Sequence, residues 1–119
     1  MAITAKRLSG PAQLSNTFVA QYTVPQSTTT IVKQIILTNI TATAKTVTVR
    51  LKPLNVAEAN THDILSNIAL AANETVTFAC SLVLTNNGGA ASNTTSDVLV
   101  AFANANTSVN LTVVGIEEA

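Results

Sequence analysis

Few side chains in this sequence could carry out acid–base or nucleophilic chemistry. His62 is the single histidine, and it adjoins Asp63. A histidine beside a carboxylate could activate a nucleophile, but no serine lies in a G-x-S-x-G turn, and neighbouring residues of a strand point to opposite faces. We therefore interpret His62 as a solvated loop residue and predict that the chain is not an enzyme.

Cofactor and metal motifs are also missing from the sequence. One His, one Cys and six scattered acidic residues are too few for a typical ligand cluster. The sequence has no G-x-G-x-x-G, no P-loop and no C-x-x-C. Cys80 falls in an apolar row with Val76, Phe78 and Leu82, so we predict a buried structural thiol. We expect neither a cofactor nor a metal.

The composition gives the chain no general field that would attract a polyanion. Charged residues make up 10% of the chain, against about 25% in an average domain, and the net charge is zero. Arg50, Lys52 and Lys33 could form a modest basic patch on one sheet face, but without interleaved aromatics we expect no nucleic acid. A neutral surface repels its own copies poorly, so the chain is either a homo-oligomer (a dimer or trimer) or a monomer solubilised by hydroxyls and amides.

Apolar and polar residues alternate along most of the chain, as in half-buried antiparallel strands. In "KTVTVRLKPL", Val47, Val49 and Leu51 share one predicted face, and Thr46, Thr48, Arg50 and Lys52 share the other. "DVLVAFA" (97–103) is apolar on both faces, which suggests a central or covered strand. The other predicted strands are 3–8, 17–24, 30–39, 62–70, 74–82 and 108–116.

These segments predict an all-β fold. We expect one domain over residues 1–119, an antiparallel β-sandwich of about eight strands, either jelly-roll-like or immunoglobulin-like. Its core must consist of Val, Ile, Leu and Ala, since aromatics are 3% of the chain. Residues 1–15 are a candidate N-terminal arm, and "ITAKRL" (3–8) is either the first strand or part of that arm.

The two chain ends carry opposite charges. Lys6 and Arg7 lie near the N-terminus, and Glu117 and Glu118 near the C-terminus. These are either solvated termini or docking elements that bind complementary patches on neighbouring subunits. The candidate interaction residues are Ile3, Lys6, Arg7, Leu8, Glu117 and Glu118. Deleting residues 1–8 is expected to reduce assembly while the sandwich stays folded.

Secretion and membrane insertion are not indicated. "MAITAKRLSGPAQL" lacks the apolar core of a signal peptide, and the apolar run "VLVAFA" is far shorter than the roughly 20 residues of a membrane span. We therefore expect synthesis in a cytoplasm and no membrane partner. Matches to the N-x-[ST] glycosylation pattern, such as Asn39 to Thr41, are interpreted as coincidence in a chain rich in Asn and Thr.

A sugar-binding role deserves consideration because many β-sandwiches bind carbohydrate. Such sites usually stack an aromatic ring on the sugar, and Tyr22 is the one amphipathic aromatic in the chain. We assign the three phenylalanines, Phe18, Phe78 and Phe102, to the core. A carbohydrate-binding module for host attachment therefore remains an alternative.

Several stretches of the sequence resemble small virion proteins of tailed bacteriophages that fold as single β-sandwiches. They are "YTVPQSTTTIVKQIILTN" (22–39), "TVTVRLKPL" (46–54), "IALAANETVTFACSLVLTNNG" (68–88) and "VNLTVVGIEE" (109–118). The step from Leu70 to Thr75 resembles the L-x-x-N/G-E-T that leads into a strand after the middle loop of such proteins. The resemblance begins at about residue 18 and carries no site motif.

This resemblance implies a structural protein of the virion, made in the host cytoplasm. The first expectation is a cement (decoration) protein that binds the assembled capsid, with the major capsid protein or another virion protein as its partner. The alternative within the same family is an accessory protein of the tail, baseplate or fibre.

Overall fold

Stiff β-branched side chains suit a pleated surface, and the alternating Val and Thr segments do form strands. The fold is described from a computed structural model, which covers residues 3–57, 59–92 and 94–119. Its strands are β1 (Ile3–Gln13), β2 (Val19–Thr23), β3 (Thr29–Asn39), β4 (Lys45–Lys52), β5 (Asp63–Leu70), β6 (Thr75–Thr85), β7 (Val98–Ala103) and β8 (Val109–Glu118). A short 3₁₀ helix, Asn60–His62, precedes β5.

The strands form two antiparallel four-stranded sheets, which confirms the predicted β-sandwich. Sheet A has the order β1-β8-β3-β6, and sheet B has the order β2-β7-β4-β5. The strand β1 pairs with β8, β2 with β7, β3 with β6 and β4 with β5. The chain is thus one long antiparallel ribbon folded back on itself. That winding is a jelly roll, so the first of the two predicted topologies is the one adopted.

Aliphatic side chains fill the space between the sheets, as the composition predicts. The inward-facing residues of β3 and β8 meet those of β4 and β7. The buried aliphatic residues of these strands are Val32, Ile35, Leu37, Val47, Val49, Leu99, Ala101, Ala103, Val109, Leu111 and Val113. Strand β7 lies between β2 and β4, so the residues that are apolar on both of its faces belong to a central strand.

The prediction for the outer face of β4 is wrong in one respect. Thr48, Arg50 and Lys52 do face away from the core, but only 4%, 7% and 7% of their surfaces are exposed. The rings of Phe18 and Phe102 cover this face, with centroids 4.2 Å apart. The Arg50 guanidinium lies 3.8 Å from the Phe18 ring centroid. Phe18 and Phe102 therefore shield the outside of sheet B instead of entering the core, whereas Phe78 packs against the core as predicted.

Polar loop residues tie strand ends together. The buried Asn39 amide donates to the carbonyls of Thr43, Leu70 and Ala71, and its oxygen accepts from the Thr41 backbone. Because both ends of this amide are engaged and buried, Asn39 is not available as a glycosylation acceptor. Asp97 acts similarly, accepting from the Leu54 and Thr85 backbone N–H groups.

Candidate interaction surfaces

The structure gathers the predicted interaction residues on two neighbouring strands. Residues 3–13 form β1, so the segment is a strand of sheet A and not a free arm. Within the β1–β8 pair, Ile3 lies opposite Glu118, and Arg7 lies opposite Val114. Leu8 packs against the core. Deleting residues 1–8 would therefore remove paired backbone, and we now expect that deletion to destabilise the sandwich.

Lys6 and Glu117 pair with each other within one chain. The Lys6 Nζ lies 3.1 Å from a Glu117 carboxylate oxygen, and 15% of the Glu117 side chain is exposed. The Tyr22 hydroxyl donates to the other Glu117 oxygen and lies 2.7 Å from the Thr30 hydroxyl. Because the Tyr22 proton is committed to the carboxylate, Thr30 must donate to Tyr22. Whether these charges also contact another protein remains a prediction.

The network shifts the ionisation of two of its members. Burial and the hydrogen bond to Glu117 raise the pKa of the Tyr22 hydroxyl, which keeps it protonated. Burial alone would raise the pKa of Glu117, but the Tyr22 hydroxyl and the Lys6 ammonium hold that pKa below its ordinary value. The result is a stable carboxylate that joins β1, β2, β3 and β8. Tyr22 is 8% exposed, so its ring is not available to stack on a sugar.

The outer face of sheet A carries a band of apolar side chains. Ala5, Ile116, Ile31 and Val83 occupy matching register positions on the four strands. Val114 follows on the next outward row. Val83 is 56% exposed. We call these five residues the apolar band. Ala5 is also exposed, whereas Ile31, Val114 and Ile116 are partly buried. A contiguous apolar patch on a protein surface is typical of a protein-binding site.

The outer face of sheet B carries a groove at one end. Its volume is about 640 Å³, and Val98 and Val100 of β7 contribute to its lining. The remaining lining residues are Ala20, Thr23, Lys52, Asn55, Val56, Ala57 and Thr94. This size lies in the usual range of ligand sites, but none of these described lining residues is aromatic. Its polar lining residues are Thr23, Lys52, Asn55 and Thr94, so it offers hydroxyl, amide and ammonium groups for hydrogen bonding.

Sequence analysis did not find the Tyr22 network, the apolar band or the groove. The band combines single outward residues from four strands, each of which looks ordinary in its own strand. The network joins Tyr22 to Glu117 across 95 positions. The predicted basic patch does not form, because Arg50 and Lys52 belong to sheet B and Lys33 to sheet A.

The groups first considered for chemistry lie apart. His62 is half-buried in the 3₁₀ helix with its Nδ1 atom inaccessible, so it is not the solvated loop residue we expected. Its neighbour Asp63 accepts from Arg50 at 2.7 Å. Cys80 is half-buried, donates to the Val32 carbonyl, and burial raises the pKa of its thiol. In the described ranges, no three His, Cys, Asp or Glu residues cluster as metal ligands would.

Comparison of the chain with protein-family models, with curated proteins and with solved structures finds no match. Within the residues that the structure describes, no helix has the length and apolar character needed to cross a membrane.

Proposed function

We propose that this chain is a non-enzymatic structural protein of a phage virion that binds and stabilises the assembled capsid. The apolar band on sheet A is the observation that carries the proposal. It offers an apolar surface to a partner, and Arg7, Lys33 and Glu118 lie beside it on the same face and could set the orientation. The resemblance to phage virion proteins supports it, as does the jelly-roll winding, which recurs in viral capsid domains as a fold-level analogy.

In the proposed mechanism, many copies of the chain bind the capsid lattice through the same contact. Each copy would bury its apolar band against capsid protein, and the low charge of the chain keeps the desolvation cost small. Many copies on a symmetric shell would together resist expansion, so weak single contacts suffice. On this proposal the partner is the major capsid protein, and the site of action is the virion.

Copy number in purified virions tests the proposal directly. Quantitative mass spectrometry should give a count comparable to that of the major capsid protein. A count far below it would place the chain in the tail, baseplate or fibre, which is the alternative structural role. Absence from the particle would refute both roles.

A matched pair of variants tests the apolar band itself. Ile116→Lys places a charge in the band, so we expect reduced incorporation and particles that lose their contents at lower temperature. Ile40→Lys makes the same change at a 45% exposed loop position and should incorporate normally. Equal incorporation of the two folded variants would contradict a role for the band.

Carbohydrate binding is a second candidate, favoured by the groove on sheet B. Thr23, Asn55 and Thr94 could hydrogen-bond sugar hydroxyls there, and lectin domains also use the jelly roll. Tyr22→Ala is unsuitable as a test because Tyr22 is buried. A glycan array that shows binding by the chain, and loss of that binding in Asn55→Ala, would favour this function; an array without hits would count against it.

A further inference from the structure

The two sheets have four edge strands, and these differ in how well they resist pairing with another chain. The edges of sheet A are β1 and β6, and those of sheet B are β2 and β5. An exposed edge presents unpaired N–H and C=O groups to any passing strand. Natural proteins protect such edges with charges, Pro, bulges or short strands.

Three of the four edges carry at least two such features. Strand β1 contains Lys6, Arg7 and Pro11 and has two register irregularities. Strand β2 has five residues and one register irregularity. Strand β5 has two irregularities in its pairing with β4, and Asn67 lies in the left-handed region with φ 48°.

The edge strand β6 is different. It has eleven residues, "TVTFACSLVLT", without a charge, a Pro or a Gly. Its pairing with β3 has one irregularity, opposite Lys33, yet exposed and half-buried residues alternate without interruption from Thr75 to Val83. The nearest positive charge is Lys33, which lies on β3, the strand next to β6. Its ammonium donates to the Ser81 hydroxyl on the outer face of the sheet. Strand β6 is therefore long and uncharged, with a single register irregularity near Cys80 and Ser81.

An apolar cleft lies between β6 and β5, the other edge strand on this side. Ile64 and Leu65 of β5 approach Phe78, Cys80 and Leu82 of β6 around a cavity of about 160 Å³. All five side chains are only partly buried, although they pack against the core. Apolar groups left in this state at a sheet edge gain stability when a second surface removes them from water.

We propose that β6 pairs antiparallel with β6 of a second copy of this chain, across a two-fold axis. The two A sheets then form one eight-stranded sheet, and the two clefts face each other. The interface is self-complementary because each β6 residue meets a residue of the same uncharged strand. The net charge of zero removes the general repulsion between copies.

The dimensions suit a stable dimer. Eleven residues rising about 3.4 Å each give an edge roughly 37 Å long, and the shortest dimension of the molecule is 19 Å. A side face of that size covers on the order of 700 Å², close to the roughly 800 Å² that each partner buries in a standard interface. The apolar band on sheet A stays exposed in this dimer.

The inference is independent of the proposed virion function and can be tested on the purified chain. Sedimentation and light scattering over a wide concentration range should show a monomer–dimer equilibrium. Ala79→Lys places like charges across the two-fold interface, so the dimer dissociation constant should rise by up to about fivefold. Ala5→Lys makes the same change on β1, the opposite edge of sheet A, and should leave the dimer intact.

Hydrogen exchange on the unmodified chain gives a second test that needs no variant. Amides of β6 should exchange more slowly as concentration rises, while those of β1 should not change. A chain that stays monomeric at high concentration, or one that forms trimers, would overturn the inference. So would an Ala79→Lys variant that dimerises as well as the unmodified chain.

Discussion

At the scale of single residues, polar side chains of this protein connect neighbouring strands by hydrogen bonds and an ion pair. Glu117 shows this best, because its carboxylate binds both Lys6 and Tyr22, and Tyr22 in turn binds Thr30. A buried polar group must be hydrogen-bonded to avoid a desolvation penalty. In this network each of the four side chains has a hydrogen-bonding partner among the others. Charge in this network therefore contributes to folding stability.

Replacing Glu117 should change how stability depends on pH. The folded-state pKa of Glu117 is lowered, so its contribution is present above the unfolded-state pKa and is lost as pH falls through the folded-state pKa. Urea unfolding of Glu117→Gln at neutral pH should show a loss of about 1–3 kcal/mol. Below about pH 5 the difference from the unmodified chain should shrink.

Glu118→Gln provides the matched control. Glu118 is the next residue of β8, so its side chain points to the opposite face of the strand. This variant should lose less than about 0.5 kcal/mol. If both variants unfold with the same pH profile as the unmodified chain, the Glu117 network does not stabilise the fold.

At the scale of the strands, β8 organises sheet A because it lies between β1 and β3. Gly115 lies opposite Lys6 of β1 on one side and Val32 of β3 on the other. A Cβ at Gly115 would lie 2.2 Å from the Ile31 carbonyl oxygen. Because the obstacle is backbone, the strands would have to separate to admit a side chain.

Gly115→Ala should therefore destabilise the protein. We expect a loss of about 1–3 kcal/mol, from overpacking and disturbed strand pairing. Thermal unfolding followed by circular dichroism measures this loss. Thr112→Ala, which truncates an outward-facing residue of the same strand, should change stability by less than about 0.5 kcal/mol. Unchanged stability of Gly115→Ala would mean that β3 and β8 have room to move apart.

At the scale of the whole molecule, the first and last strands pair with each other. Ile3 lies opposite Glu118, so sheet A closes only when the C-terminal strand is present. Without β8, the strands β1 and β3 would have no common neighbour, and Val109, Leu111 and Val113 would leave the core.

A truncated chain ending at residue 108 should therefore not fold. Its circular dichroism should lack a cooperative thermal transition, whereas a chain that lacks Ala119 alone should unfold like the unmodified one. Cooperative unfolding of the 1–108 chain would show that sheet B and the rest of sheet A are stable by themselves.

The strands were predictable from the order of the residues, because a strand's apolar alternation is local and repeats every second residue. It predicted a β-sandwich, an aliphatic core and the inward position of Phe78, each of which the structure confirms. It also placed Val47 and Val49 correctly. These predictions depend only on residues that are close together in the chain.

Tertiary structure alone decided the strand order and every surface described above. Alternation does not say which strands become neighbours, so the jelly roll and the immunoglobulin-like arrangement stayed equally open. The covered outer face of β4 depends on Phe18 and Phe102, which lie far from Arg50 in sequence. The network at Glu117 and the uncharged edge at β6 likewise follow from pairings between distant segments, and those pairings are set by how the ribbon winds.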